Sequence, residues 1–180
     1  MQKALLVVDY TVDFVAEDGA LTCGKPGQAI EEKICTLTED FIADGQLVVM
    51  PVDLHDKDDA YHPEAKLFPP HNIRGTAGRK LYGRLADVYE AHADRIIWMD
   101  KTRYSAFAGT NLELLLRERN IEEIHLVGVC TDICVLHTAV DAYNKGYKIF
   151  IHENGVASFD QAGHEWALRH FTTTLGANLL

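Results

Sequence analysis

Four side chains with reactive chemistry stand at or just beyond the ends of four apolar runs: Asp9, Asp53, Lys101 and Cys134. A carboxylate can take up a proton, an ammonium can hold an anion, and a thiolate can attack a carbonyl carbon. Cys134 lies in Gly128-Val129-Cys130-Thr131-Asp132-Ile133-Cys134-Val135, which reads as a strand-to-helix turn. At a helix start the free backbone N–H groups favour a thiolate and can also hold an oxyanion. Burial as small hydrophobes is the equally weighted alternative for Cys130 and Cys134. Their Cys-x3-Cys spacing is not that of a redox or zinc pair. Cys23 and Cys35 have no charged companions and read as core residues, and His137, a turn further into the same helix, reads as structural.

Asp53-Leu54-His55 forms a second group. On extended chain, residues two apart project to one side, so the carboxylate and imidazole share a focus. His71 returns to it from a long loop, with His62 and Glu64 between. Two histidines, a carboxylate and one further oxygen ligand suit Zn, Fe or Mn. Spacing alone does not choose between His62 and Glu64, and a solvated loop rich in His and Asp is the competing reading.

The elements that must position these residues follow from the apolar pattern. Near-continuous apolar runs at residues 5–8, 47–52, 95–99, 124–129 and 148–152, with a weaker one at 175–180, predict strands buried on both faces of a parallel sheet. Ile30, Ile34, Leu37 and Phe41 make one apolar helical stripe over residues 28–43. Leu112, Leu115 and Leu116 mark a second helix, Val135, Thr138, Ala139 and Ala142 a third starting near Thr131, and residues 162–171 a last one. Strand and helix in alternation mean right-handed crossovers and a three-layer α/β sheet. In such sheets ligands bind beyond the carboxyl ends of the strands, where strand order reverses. Residues 53–79, with Pro63, Pro69, Pro70, Gly75 and Gly78, read as one long irregular loop of functional character.

The chain has 180 residues, and at ~150 residues per domain it reads as a single domain over 1–180. With 17 basic against 27 acidic residues the net charge is −10, which argues against nucleic acid as a partner. No run approaches the ~18 apolar residues of a membrane span, and residues 4–8 are too short for the core of a secretion signal. Four scattered cysteines in a chain able to fold without them suit a reducing cytoplasm. The expected partner is a small molecule, with homo-oligomerisation left open.

Residues 4–14 (ALLVVDYTVDF), Asp53-Leu54-His55, Phe68-Pro69-Pro70-His71, residues 101–107 (KTRYSAF) and the turn at 128–134 together resemble the isochorismatase-like cysteine hydrolases, and within them the nicotinamidases. The likeness spans essentially the whole chain and keeps the family's order. It implies a three-layer α/β/α sandwich with a six-stranded parallel sheet. It also implies Asp9 as base, Lys101 as charge stabiliser and Cys134 as nucleophile, with the N–H groups of Cys130 and Cys134 as oxyanion hole after a cis Val129–Cys130 bond. A divalent ion on Asp53, His55 and His71, with Glu64 as a further carboxylate, would hold the pyridine nitrogen of nicotinamide. Phe14, Phe68 and Tyr104 would line the ring pocket. Pyrazinamide is a second expected substrate, and the salvage of pyridine nucleotides the expected setting. The chain departs from many relatives in Phe68, where they carry Trp, and in Cys130, where they carry Ala.

Three other readings compete. A metal-free hydrolase of carbamoyl or ureido amides would keep Asp9, Lys101 and Cys134 but has no use for the histidines. A phosphoreceiver domain needs an acidic pair after the first strand, where Tyr10 stands instead, and two helices before its phospho-acceptor, whereas one helical pattern (residues 28–43) precedes Asp53. A thiol redox sensor leaves the histidine cluster unexplained.

Overall fold

A computed structural model describes residues 2–180. Six parallel strands form one sheet: β1 (Lys3–Val8), β2 (Leu47–Asp53), β3 (Ile96–Lys101), β4 (Glu123–Val129), β5 (Lys148–Ala157) and β6 (Asn178–Leu179), in the order β3-β2-β1-β4-β5-β6. The chain winds outward from β1 to β3, then returns to the other side of β1 to build β4 to β6. The order therefore reverses between β1 and β4, and the crevice beyond their carboxyl ends is the natural ligand site.

Helices cover both faces. On β1, Leu5 and Val7 point into a core formed with α3 (Glu31–Ala43) and α4 (Arg84–Ala91), through Ile34, Leu37, Phe41, Leu85 and Val88. Ala4, Leu6 and Val8 point the other way, onto α5 (Leu112–Arg117), α6 (Leu136–Asn144) and α7 (Gln161–Thr173), through Leu112, Leu116, Ala139, Ala142 and Phe171. The period of two along β1 thus separates two apolar cores and produces the three-layer sandwich. A single turn, α1 (Val12–Val15), and α2 (Lys25–Ala29) bridge β1 to α3.

Several boundaries differ from the sequence pattern. Ile30, part of the predicted stripe, is the residue between α2 and α3, so residues 28–43 are two helices rather than one. β2 and β3 run on to include Asp53 and Lys101 themselves. β5 extends to Ala157 through the polar stretch Glu153-Asn154-Gly155, where the register against β4 shifts, as at a bulge. The last strand shrinks to Asn178–Leu179, because Leu175 and Ala177 are buried in the core of α7 instead. Residues 80–94 carry no sequence expectation, yet α4 lies there; it buries only Leu85 and Val88, too few for a visible period. The long loop is not wholly irregular, containing 3-10 turns at Pro63–Lys66 and Ala77–Arg79.

Candidate active site

Three strand ends and one turn converge on the crevice. Asp9 follows β1 with φ of 55°, a left-handed conformation that Asp tolerates better than most residues. This bend lets Asp9 Oδ1 accept the Asp53 backbone N–H at 2.7 Å, while its own N–H donates to the Pro51 carbonyl. Lys101 ends β3 in register with Asp53 and turns its ammonium inward. The Lys101 Nζ lies 2.7 Å from Asp9 Oδ2, 3.5 Å from Asp53 Oδ1 and 3.6 Å from Cys134 Sγ, and donates to the Arg103 carbonyl. Lys101 is 1% exposed and Asp9 is fully buried, so each charge depends on the other.

Cys134 is held by a π-helical turn, Thr131–Val135, set between β4 and α6. The sequence expectation of a helix beginning near Thr131 becomes this wider turn, a form often found at functional sites. The Val129–Cys130 bond before it is cis, as the resemblance implied. Ser158 Oγ donates to Asp132 Oδ1 and Thr131 Oγ1 meets His164 Nδ1 at 2.8 Å, fixing the turn from outside.

Burial pushes the Cys134 thiol well above its usual range, with Lys101 opposing and the side chains of Asp9 and Asp53 adding to it. Burial likewise raises Asp9, against the pull of Lys101. Burial disfavours the Lys101 ammonium, but Asp9, Cys134 and Asp53 together hold it well above the ordinary lysine range. The resting group is a neutral thiol beside a carboxylate of raised basicity and a fixed positive charge. Such a group can move a proton from sulfur to Asp9 without creating net charge in a buried place.

Asp53 also belongs to the second cluster. Its Oδ2 lies 2.7 Å from His55 Nε2 and 3.5 Å from His71 Nε2, and Glu64 Oε2 is 3.6 Å from the same His71 nitrogen. One ligand atom from each of Asp53, His55, Glu64 and His71 falls within 4.8 Å of all the others, and all four residues are buried. His71 Nδ1 is committed to the Pro69 carbonyl at 2.7 Å, which turns Nε2 into the cluster. That Nε2 and Asp53 Oδ1 are buried without a hydrogen-bond partner. Burial works against a charged His71, but Asp53 and Glu64 outweigh it and lift its pKa to about 10. Two carboxylates and two imidazoles converging on one buried point fit a divalent cation as a donor set. Glu64, which spacing left unresolved against His62, is the residue inside the cluster.

A cavity of about 20 Å³ lies over Cys134, room for about one water. Phe14, Phe68 and Tyr104 line it, together with Asp53, Glu64 and Cys130. Leu21, Ile133 and Phe159 also line it, though nothing in the sequence distinguished these apolar residues from many others. Two further residues, which no sequence motif marks, support the site. Arg79 donates to the carbonyls of Asp53 and Val52 and pairs with Asp100, pinning the ends of β2 and β3. Asn72, at φ of 45°, receives Thr11 Oγ1 and gives its N–H to Asp13, which ties the histidine loop to α1. His137 is exposed, bonded to the Ile133 carbonyl and packed on Tyr104, consistent with a structural role. Cys23 and Cys35 are buried.

A parallel sheet with thiol, carboxylate and ammonium gathered at its switch point defines an enzyme of the three-layer α/β class. The isochorismatase domain matches residues 3–179, and the chain belongs to that family. It is 63% identical to the nicotinamidase/pyrazinamidase PncA of Bacillus subtilis, whose crystal structure superposes with a TM-score of 0.97 over 99% of both chains. The pyrazinamidase/nicotinamidase of Streptococcus mutans is 53% identical, with a TM-score of 0.97 over 99% of this chain and 100% of that one. A pyrazinamidase of Pyrococcus horikoshii, solved in complex with zinc, is 26% identical with a TM-score of 0.88 over 100% and 99%.

Proposed function

We propose that this chain hydrolyses nicotinamide to nicotinate and ammonia, and accepts pyrazinamide, with Cys134 as nucleophile. The observation that carries the reading is the Lys101 ammonium, within 3.6 Å of the Cys134 sulfur and also beside Asp9 and Asp53. It joins a protonatable thiol to the cluster of Asp53, His55, Glu64 and His71, with the small cavity between. A divalent ion held by those four residues would supply a Lewis-acid position for the ring nitrogen of the substrate.

With the amide over Cys134, Asp9 takes the thiol proton and the sulfur attacks the amide carbon. The oxyanion falls to the backbone N–H groups of Cys130 and Cys134, where a single donor contributes ~3 kcal/mol. Lys101 keeps the buried thiolate and carboxylate compensated throughout. Asp9 returns its proton to the departing ammonia, leaving a thioester on Cys134. A water activated by Asp9 then releases nicotinate, and the thiol is restored. Phe14, Phe68 and Tyr104 hold the ring and exclude solvent.

Zinc is the ion we favour, supported by the zinc-bound relative, with iron and manganese suiting the same donors. The setting we infer is cytoplasmic salvage of pyridine nucleotides, supported by four free cysteines. No helix among the described residues is long and apolar enough to cross a membrane.

Cys134→Ala tests the assignment. Ammonia release from nicotinamide should fall by at least ~10³-fold while the far-ultraviolet dichroism is preserved; turnover near that of the wild type would exclude Cys134 as nucleophile. The related reading, a hydrolase of carbamoyl or ureido amides, predicts activity indifferent to metal. Stripping the protein with a chelator and restoring zinc should abolish and then recover nicotinamide hydrolysis.

A further inference from the structure

His62 stands beside the four-residue cluster, and both of its ring nitrogens are committed to backbone. Nδ1 accepts the Glu64 N–H at 3.2 Å, so that nitrogen carries no hydrogen. Nε2 therefore holds the proton and donates to the Thr102 carbonyl at 2.8 Å. The first bond caps the Pro63–Lys66 turn, whose second residue is Glu64. The second fastens that turn to the residue directly after Lys101. The ring also packs edge-on against His55, with centroids 4.3 Å apart. A ring with both nitrogens occupied has no lone pair left for an ion, which is why Glu64 rather than His62 faces the cluster.

We propose that His62 is a positioning residue that retains the cation without touching it. It orients Glu64 through the backbone and His55 through ring contact, and anchors both to the end of β3. This inference rests on the reading of Asp53, His55, Glu64 and His71 as a metal centre. The outer partners of metal ligands typically change affinity by 10–100-fold when removed, and His62 serves two ligands at once.

The experiment compares wild type, His62→Ala and His62→Asn, each loaded with Zn²⁺ and then mixed with excess chromogenic chelator to follow zinc release. Asn retains a capping acceptor but is too short to span to Thr102, so it separates the cap from the tether and gives a folded variant should Ala fold poorly. Release from His62→Ala should be about 10–100-fold faster than from wild type, with His62→Asn between the two. Equal release from all three proteins would overturn the role of His62 and leave the metal centre standing. A wild type that takes up no zinc would overturn the metal centre and this inference with it.

Discussion

Lys101 is the residue on which the buried charges depend. Its ammonium compensates Asp9 and Asp53, and all three are buried. Lys101→Met should therefore abolish amide hydrolysis and also cost ~3–5 kcal/mol of stability, since removing one partner strands the others. A thermal unfolding midpoint equal to that of the wild type would contradict this. Lys101→Arg should not rescue activity, because the planar guanidinium is larger than the space around the amine and cannot take its place as a point charge. The reactive residues themselves were legible in the sequence, since Asp9, Asp53, Lys101 and Cys134 all fall at strand ends or just beyond them. Asn72 and Arg79 were not. Their contributions arise from bonds to residues distant in sequence, Thr11 and Asp13 for one and Val52, Asp53 and Asp100 for the other, and no spacing rule encodes such bonds.

At the scale of elements, β4 must approach β1 closely for Cys134 to reach Asp9. Gly128, at φ of 113°, makes this possible: a Cβ there would collide with the Val8 carbonyl oxygen. Gly128→Ala should cost roughly 2 kcal/mol or more from backbone strain and the clash together, lowering the unfolding midpoint of a chain this size by several degrees. An unchanged midpoint would show that the strands can part without penalty. β1, β2 and β4 were readable because each is a near-continuous apolar run buried on both faces. Short or shared elements were harder. α4 buries only two side chains in eight residues, and the apolar character of residues 175–180 serves the α7 core rather than the sheet. Polar Glu153-Asn154-Gly155 hid the second half of β5, because a bulge breaks the apolar run there.

Over the whole molecule, acid should unfold the chain through a histidine pair far from the site. His125 Nδ1 and His152 Nε2 lie 3.0 Å apart, buried between β4, β5 and Phe41 of α3. Burial, aided by Lys3 and, for His152, by His125 and Lys33, lowers both to a pKa of about 4. Both rings are neutral when folded but take up protons near pH 6.5 when unfolded. The contribution of this pair to stability is therefore full above pH ~6.5 and declines as pH falls toward 4, by up to roughly 3 kcal/mol per ring. Urea unfolding between pH 7 and 4 measures the decline, and His125→Phe should flatten it. A profile unchanged by that substitution would assign the loss to other groups. The net charge of −10 favours solubility at neutral pH, and solubility should be lowest near the isoelectric point of about 5.3.

Asp53 offers one oxygen to Lys101, the other to His55 and His71, and its backbone N–H to Asp9. The two halves of the crevice consequently differ in how freely they can diverge. A descendant with no use for a cation at the cluster could exchange the histidines one at a time, each a local loss. Replacing Asp53 would unsettle the thiol's neighbours in the same stroke, so a lineage drifting toward other amides would be expected to keep this aspartate after its imidazole companions had gone.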